Sequence, residues 1–234
     1  PRPAAARERR AAPAASEAER AAIDRVFADI GKSLEAYVRR LAPAPAPFDA
    51  YAAAVLAGDP TGGGHLSASA ARGLRAFLGE ARCVLCHHGP LLSDREFHNL
   101  GLPPAFGASE GDPGRWLGAR MARVDPFRCG GELSDARRCP ELEFLDAEQD
   151  ALQGAFRTPT LRNVAETAPY MHAGQLATLE EVIDFYRALP GEATTGRRDP
   201  LLSPLDRAVS AADLLSFLRS LTGPPPDPAW LAPP

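Results

Sequence analysis

Apolar residues recur at spacings of three and four in several stretches of the chain, and each such stretch predicts an amphipathic helix. The first opens with a capping box of Ser16 and Glu19 and carries Ile23, Val26, Phe27, Ile30, Leu34, Tyr37, Val38 and Leu41. These positions form one continuous face, which must pack against something. Pro43 ends the helix, and the proline-rich stretch 43–47 reads as an extended connector. A short helix over 48–56 stops at Gly58 and Pro60. Ser67 then caps a helix with Ala71, Leu74, Phe77 and Leu78 inward. Thr178 and Glu181 form a second capping box, opening a helix through about Leu189 with Leu179, Val182, Ile183 and Tyr186 facing in. Ser210 with Asp213 marks the last helix. Its apolar residues, Leu214, Leu215, Phe217, Leu218 and Leu221, cluster rather than stripe, which predicts burial on several sides before Gly223 stops it.

Between 88 and 160 periodicity is weak and turn signals are dense: Gly89-Pro90, Pro103-Pro104, Asp112-Pro113-Gly114 and Gly130-Gly131. A loop region that long inside a compact domain points to function, and a large rigid cofactor would give irregular segments something to pack on. Residues 1–15 read as a mobile linker, and 224–234 as an extended tail with Trp230 as its anchor.

Composition narrows the class. At 234 residues and 45% hydrophobic, the chain can hold one large core or two small ones. Alanine, proline and glycine are abundant while β-branched and aromatic residues are sparse, which favours short helices and long loops in an all-α fold. A net charge of −4 with interspersed signs argues against a nucleic-acid groove. No apolar run approaches the roughly 20 residues of a membrane span, and no signal peptide is recognisable. A start at Pro1 predicts that upstream sequence is missing.

The candidate chemistry centres on Cys83-Val84-Leu85-Cys86-His87. Two thiols with this spacing can add to the two vinyl groups of a haem, and the following histidine can bind its iron. The rival is a zinc site using Cys83, Cys86, His88 and His98. Candidates for a second axial ligand are Met121, Met171, His172, Tyr170 and Tyr186. Methionine would suit electron transfer, and a hard anionic tyrosinate would suit ferric or higher iron. Arg115, Arg157 and Arg162 could pair with haem propionates or brace loops. His98 and His172 read as hydrogen-bonded structural residues. Cys129 and Cys139 could close a loop in an oxidising compartment, or remain two free thiols.

The segments 155–164 (AFRTPTLRNV) and 167–174 (TAPYMHAG) resemble the bacterial di-haem cytochrome c peroxidase and MauG family. So do the run from Cys83 through Pro90, Phe97-His98-Asn99-Leu100-Gly101, and Asp112-Pro113-Gly114-Arg115. The resemblance runs in order over roughly residues 20–222. The stretch from Phe127 through Cys129, Ser134-Asp135 and Cys139 to Leu142 looks most like the MbnH branch, associated with methanobactin systems.

The family carries two haem domains on one chain, and this sequence is similar to the second. The resemblance therefore implies a helix and connector over 16–66 leading from a missing upstream domain, and a cytochrome c-like haem domain over 67–223. It implies a periplasmic protein whose haem relays or stores oxidising equivalents for peroxide-dependent oxidation of a partner protein. By position, Tyr186 matches the family's distal ligand, methionine in typical peroxidases and tyrosine in MauG-like members. The carbonyls of Thr167 and Pro169 match positions that bind calcium. No second Cys-x-x-Cys-His occurs in the sequence, so the peroxide-reactive haem has no counterpart here. It would have to come from an upstream domain or a second haem-bearing chain. The alternative is a mono-haem electron carrier without peroxide chemistry.

Overall fold

A computed structural model describes residues 15–104, 110–189 and 191–230; nearly all of the expected linker, the carboxyl end of the tail and Pro190 lie outside them. The described chain is all-α: seven helices, several single 3₁₀ turns and one two-residue antiparallel ribbon. It divides into two compact units, one made by residues up to 41 with 126–139, the other by the rest.

In the first unit, α1 spans Glu17–Val38. The Ser16 hydroxyl accepts from the Glu19 amide, and the Glu19 carboxylate accepts from the Ser16 amide at 2.8 Å, so the expected capping box forms. The apolar face forms too, but it is not buried. Ile23, Phe27 and Leu34 are 60%, 61% and 59% exposed. Within this unit Phe27 meets Phe127 at 4.9 Å between ring centroids, and Lys32 pairs with Asp135 at 2.6 Å. Cys129 and Cys139 are joined by a disulfide, which closes the loop beside these contacts.

The second unit is organised on the crossing of α3 (Ala68–Leu78) and α7 (Ala211–Arg219). The Ser67 hydroxyl caps α3 by accepting from the Ala70 amide at 3.0 Å. Leu74 and Phe77 bury against Leu214, Leu215, Phe217 and Leu221, with Leu179 and Ile183 of α6 (Leu179–Ala188) joining the same core. Phe217 takes edge contacts from Phe77 at 5.0 Å and from Phe48 of α2 (Pro47–Leu56) at 5.6 Å. The helices can come this close because position 73 is glycine: a Cβ there would overlap the Asp213 carbonyl. On α6, Leu179 and Ile183 are buried as expected, Phe185 is buried as well, and Val182 and Tyr186 are half-buried.

A bidentate ion pair spans the same crossing. Arg72 donates to both Asp213 oxygens at 2.8 Å, and Ser69 adds a third hydrogen bond. The Arg72 and Ser69 hydrogen bonds hold the Asp213 carboxyl down at about 2. A carboxyl depressed in the fold stabilises it above the ordinary value near 4, and that contribution disappears as pH falls through about 2. Asp213→Asn should therefore lower the melting temperature at pH 7, with the gap to wild type closing between roughly pH 4 and 2. Melting curves across that range check it, and a gap independent of pH would remove the carboxylate charge as the cause.

The region expected to lack periodicity contains α4 (Arg115–Val124) and α5 (Pro140–Glu143). In α4 only Ala119 is buried, Met121 and Val124 are exposed, and the cap is a glycine, so no apolar stripe or capping side chain marks it. Gly114 precedes it at φ 60° because a side chain there would strike the Ala155 backbone, whose carbonyl accepts from the Arg115 amide at 2.8 Å. The ribbon pairs β1 (Phe97–His98) with β2 (Phe156–Arg157).

Candidate haem site

Helix α3 leads through Arg82, at φ 57°, into a 3₁₀ turn at Cys83–Leu85. The turn closes when the His87 amide donates to the Cys83 carbonyl at 2.9 Å. Both thiols are free and half-buried. Burial pushes each up to about 11, reinforced at Cys86 by the nearby Asp94 and Asp199 carboxylates. Burial also pushes His87 below its ordinary value, so it stays neutral at pH 7. Its Nδ1 lies 3.0 Å from the Leu92 carbonyl, which fixes the proton there and leaves Nε2 as the free lone pair.

The loop after the motif is held from a distance. The Ser93 hydroxyl donates to the Thr158 carbonyl at 2.7 Å, and the Thr158 amide to the Glu96 carbonyl at 2.9 Å. The Thr160 hydroxyl donates to the Leu91 carbonyl at 2.6 Å. Arg162 donates to the Pro90 carbonyl at 2.9 Å and to Asp49 at 2.6 Å. That commits Arg162 to bracing the loop. Burial raises the Asp49 carboxyl, but the Arg162 and Ala46 hydrogen bonds outweigh it and leave it lowered. Arg157 likewise bonds the Arg95 carbonyl at 3.2 Å. Arg115 lies 4.5 Å over the Phe97 ring.

The candidate axial ligands differ in what already engages them. Met121 is 59% exposed on α4. The Tyr170 hydroxyl donates to the Val164 carbonyl at 3.0 Å, and His172 is exposed and stacked on Phe156 at 3.7 Å. Tyr186 is half-buried on α6; its phenol makes no hydrogen bond among the described residues, and its oxygen keeps some access to solvent. Burial, and then the charges that Cys83 and Cys86 would carry, push that phenol up, so it shares its surroundings with both thiols. Two free thiols and a neutral imidazole with one open nitrogen are the groups that hold a haem c, and a phenol beside them offers an oxygen donor. The residues fit the group.

They do not fit the zinc alternative. Cys86 clusters with Asp94 and His98, whose candidate atoms all lie within 4.8 Å, and neither Cys83 nor His88 belongs to that group. His88 instead faces the Val84 carbonyl at 3.1 Å. Both His98 nitrogens are engaged, by Asp199 at 2.6 Å and Asp94 at 2.9 Å. Asp94 and Asp199 were not foreseen from the sequence; Asp199 lies 101 residues from His98, and no local pattern links them. Thr167 and Pro169 are exposed, and their carbonyls accept no hydrogen bond from the described residues. A separate cavity of about 110 Å³, lined by Asn99, Asp112, Phe156, His172 and Thr195, contains none of the motif residues.

No family model matches the chain. Among curated proteins, it is 38% identical over 180 residues to the cytochrome-c peroxidase IdrP1 of Denitromonas iodatirespirans, covering 75% of this chain and 44% of that one. It is 32% identical over 203 residues to IdrP2 of the same organism, covering 86% and 49%. It is 30% identical over 198 residues to the methylamine utilization protein MauG of Methylorubrum extorquens, covering 82% and 44%. The chain thus spans about half the length of the curated relatives it matches. Among solved structures, a MauG-like protein associated with microbial copper homeostasis aligns with TM-score 0.49 and 29% identity, covering 81% of this chain and 54% of that one, a likeness too partial to carry an argument. No helix among the described residues is long and apolar enough to cross a membrane. With the haem motif and these relatives in register, the chain belongs to the di-haem cytochrome c peroxidase and MauG family.

Proposed function

We propose that this chain is the second haem domain of a MauG-like enzyme and that it relays or stores oxidising equivalents for the peroxide-dependent oxidation of a partner protein. The Tyr186 phenol, close to both thiols of the motif, carries this reading. A methionine would serve a simple electron carrier, whereas an anionic oxygen ligand favours iron in ferric and higher states. Cys83 and Cys86 would hold one haem c, His87 and Tyr186 would offer its iron an imidazole nitrogen and a phenol oxygen, and Arg115 would be available to a propionate. The bound haem supplies one-electron redox chemistry. The chain's own residues keep His87 neutral, orient it through the Leu92 carbonyl, and set the Tyr186 phenol near both thiols.

The reactive haem comes from an upstream domain or a second haem-bearing chain. The unengaged Thr167 and Pro169 carbonyls are candidates for a calcium ion at that junction, a hard cation suited to oxygen ligands. The Cys129–Cys139 disulfide supports a periplasmic location, since such bonds persist in oxidising compartments. The same disulfide loop and the tyrosine at 186 support placement in the MbnH branch.

The test is spectroscopic. Protein matured with haem should give a pyridine haemochrome spectrum of one covalent haem c per chain. Paired with its haem-bearing partner domain, it should show a peroxide-dependent change in the Fe(III) spectrum of the tyrosine-ligated haem. Absence of covalent haem, or a reversible Fe(III)/Fe(II) couple with no peroxide response in the paired protein, would overturn the proposal. The second result would favour the mono-haem carrier.

A further inference from the structure

His98 sits between two carboxylates. Its Nδ1 is 2.6 Å from Asp199 and its Nε2 is 2.9 Å from Asp94, with side chains only 14%, 16% and 10% exposed. Ionised carboxylate oxygens only accept, so both ring nitrogens must donate, and the ring is an imidazolium. Burial alone would disfavour that charge. The hydrogen bonds to Asp199 and Asp94 outweigh it and raise the histidine above its ordinary value. The trio therefore carries one positive and two negative charges in a mostly enclosed space.

The three residues come from three parts of the second unit. Asp94 belongs to the motif loop, where its amide donates to the Cys86 carbonyl at 2.8 Å. His98 ends β1. Asp199 lies in the segment after α6; its amide donates to the Asn99 carbonyl at 2.9 Å, and Leu205 of the same segment donates to the Tyr186 carbonyl at 2.9 Å. The trio thus joins the segment that bears the thiols and His87 to the one that follows Tyr186. It also lies beside the motif, with the Cys86 sulfur within 4.8 Å of the Asp94 and His98 donor atoms.

We propose that His98 is a positioning residue of the haem site: doubly hydrogen-bonded to Asp94 and Asp199, it clamps the motif loop to the segment behind Tyr186 and sets the charge beside the Cys86 attachment point. This rests on the haem reading above. A plain structural brace would affect stability alone. A charged clamp beside the Cys86 attachment point would also bias the iron couple of a bound haem, because a nearby cation favours the reduced state and a nearby anion the oxidised one.

The experiment is potentiometric titration of the haem-loaded full-length protein, with haem content and melting temperature measured in parallel. His98→Gln removes the cation and should lower the haem potential. Asp199→Asn removes an anion and should raise it. Asp199→Glu keeps the charge and should return the potential toward wild type, which keeps the idea testable if His98→Gln does not fold. Haem loading should stay at one per chain in the variants that fold, while the low-spin electron paramagnetic resonance signal of His98→Gln broadens as the ligands lose their fixed spacing. Normal loading with potentials that stay put, or that move the same way in His98→Gln and Asp199→Asn, overturns the clamp and leaves the haem reading standing. A wild-type protein without covalent haem overturns both.

Discussion

Tyr186→Phe should convert the haem-loaded protein from a low-spin, six-coordinate ferric spectrum to one lacking its phenolate ligand, and raise the potential of the Fe(III)/Fe(II) couple. An anionic oxygen stabilises ferric iron, so its removal shifts the balance toward the ferrous state. The substitution is unusually clean. The phenol makes no hydrogen bond that its removal would break, and the ring's edge contact with Phe185 at 5.5 Å survives in phenylalanine. Removing a half-buried hydroxyl without a partner is neutral or mildly stabilising, so the haem-free fold should melt at or slightly above the wild-type temperature. An altered spectrum with an unaltered haem-free melt identifies a ligand. An unchanged low-spin spectrum and potential would remove Tyr186 from the iron.

Gly73→Ala should markedly destabilise the second unit for a change of one carbon. The added Cβ would overlap the Asp213 carbonyl and approach the Phe217 Cβ to 2.9 Å. Backbone cannot swing aside as a side chain can, so α3 and α7 must separate, loosening Phe217 and the Arg72 pair together. Overpacking of this kind costs on the order of 3 kcal/mol, against roughly 1 kcal/mol gained from alanine's better helix propensity. A net loss near 2 kcal/mol corresponds to a melting temperature lower by about 5 °C in a domain of this size. Gly118→Ala is the control: it is also helical, but nothing lies within 4 Å of the new carbon, so it should stabilise slightly. Equal effects at the two glycines would contradict the packing argument.

Much of this fold is written locally. Ser16, Ser67, Thr178 and Ser210 each accept the hydrogen bond expected of a helix cap, and Leu74, Phe77, Leu214 and Phe217 bury as their spacing implies. Helix α4 escaped because its cap is Gly114, with no capping side chain, and because it is polar overall and buries only Ala119. The face of α1 was legible as a pattern, yet a pattern does not say whether its cover lies in the same chain, and here Phe127 meets only part of it.

At the site, Cys83, Cys86 and His87 were legible from spacing and Tyr186 from resemblance. Arg162 could have been a propionate partner or a brace, and its bonds to Pro90 and Asp49 make it a brace. The Asp94–His98–Asp199 trio could not be seen, because its members meet only after residues 98 and 199 are brought together by the chain's return.

The grip on the motif loop also has a direction in time. Ser93, Leu91 and Pro90 are held by Thr158, Thr160 and Arg162, partners 65, 69 and 72 residues downstream. A chain made from its N-terminus exposes Cys83 and Cys86 well before those partners exist. At typical synthesis rates the interval is on the order of several seconds. During it the loop that follows the thiols lacks these three tethers, so its native shape forms only after 158–162 have emerged.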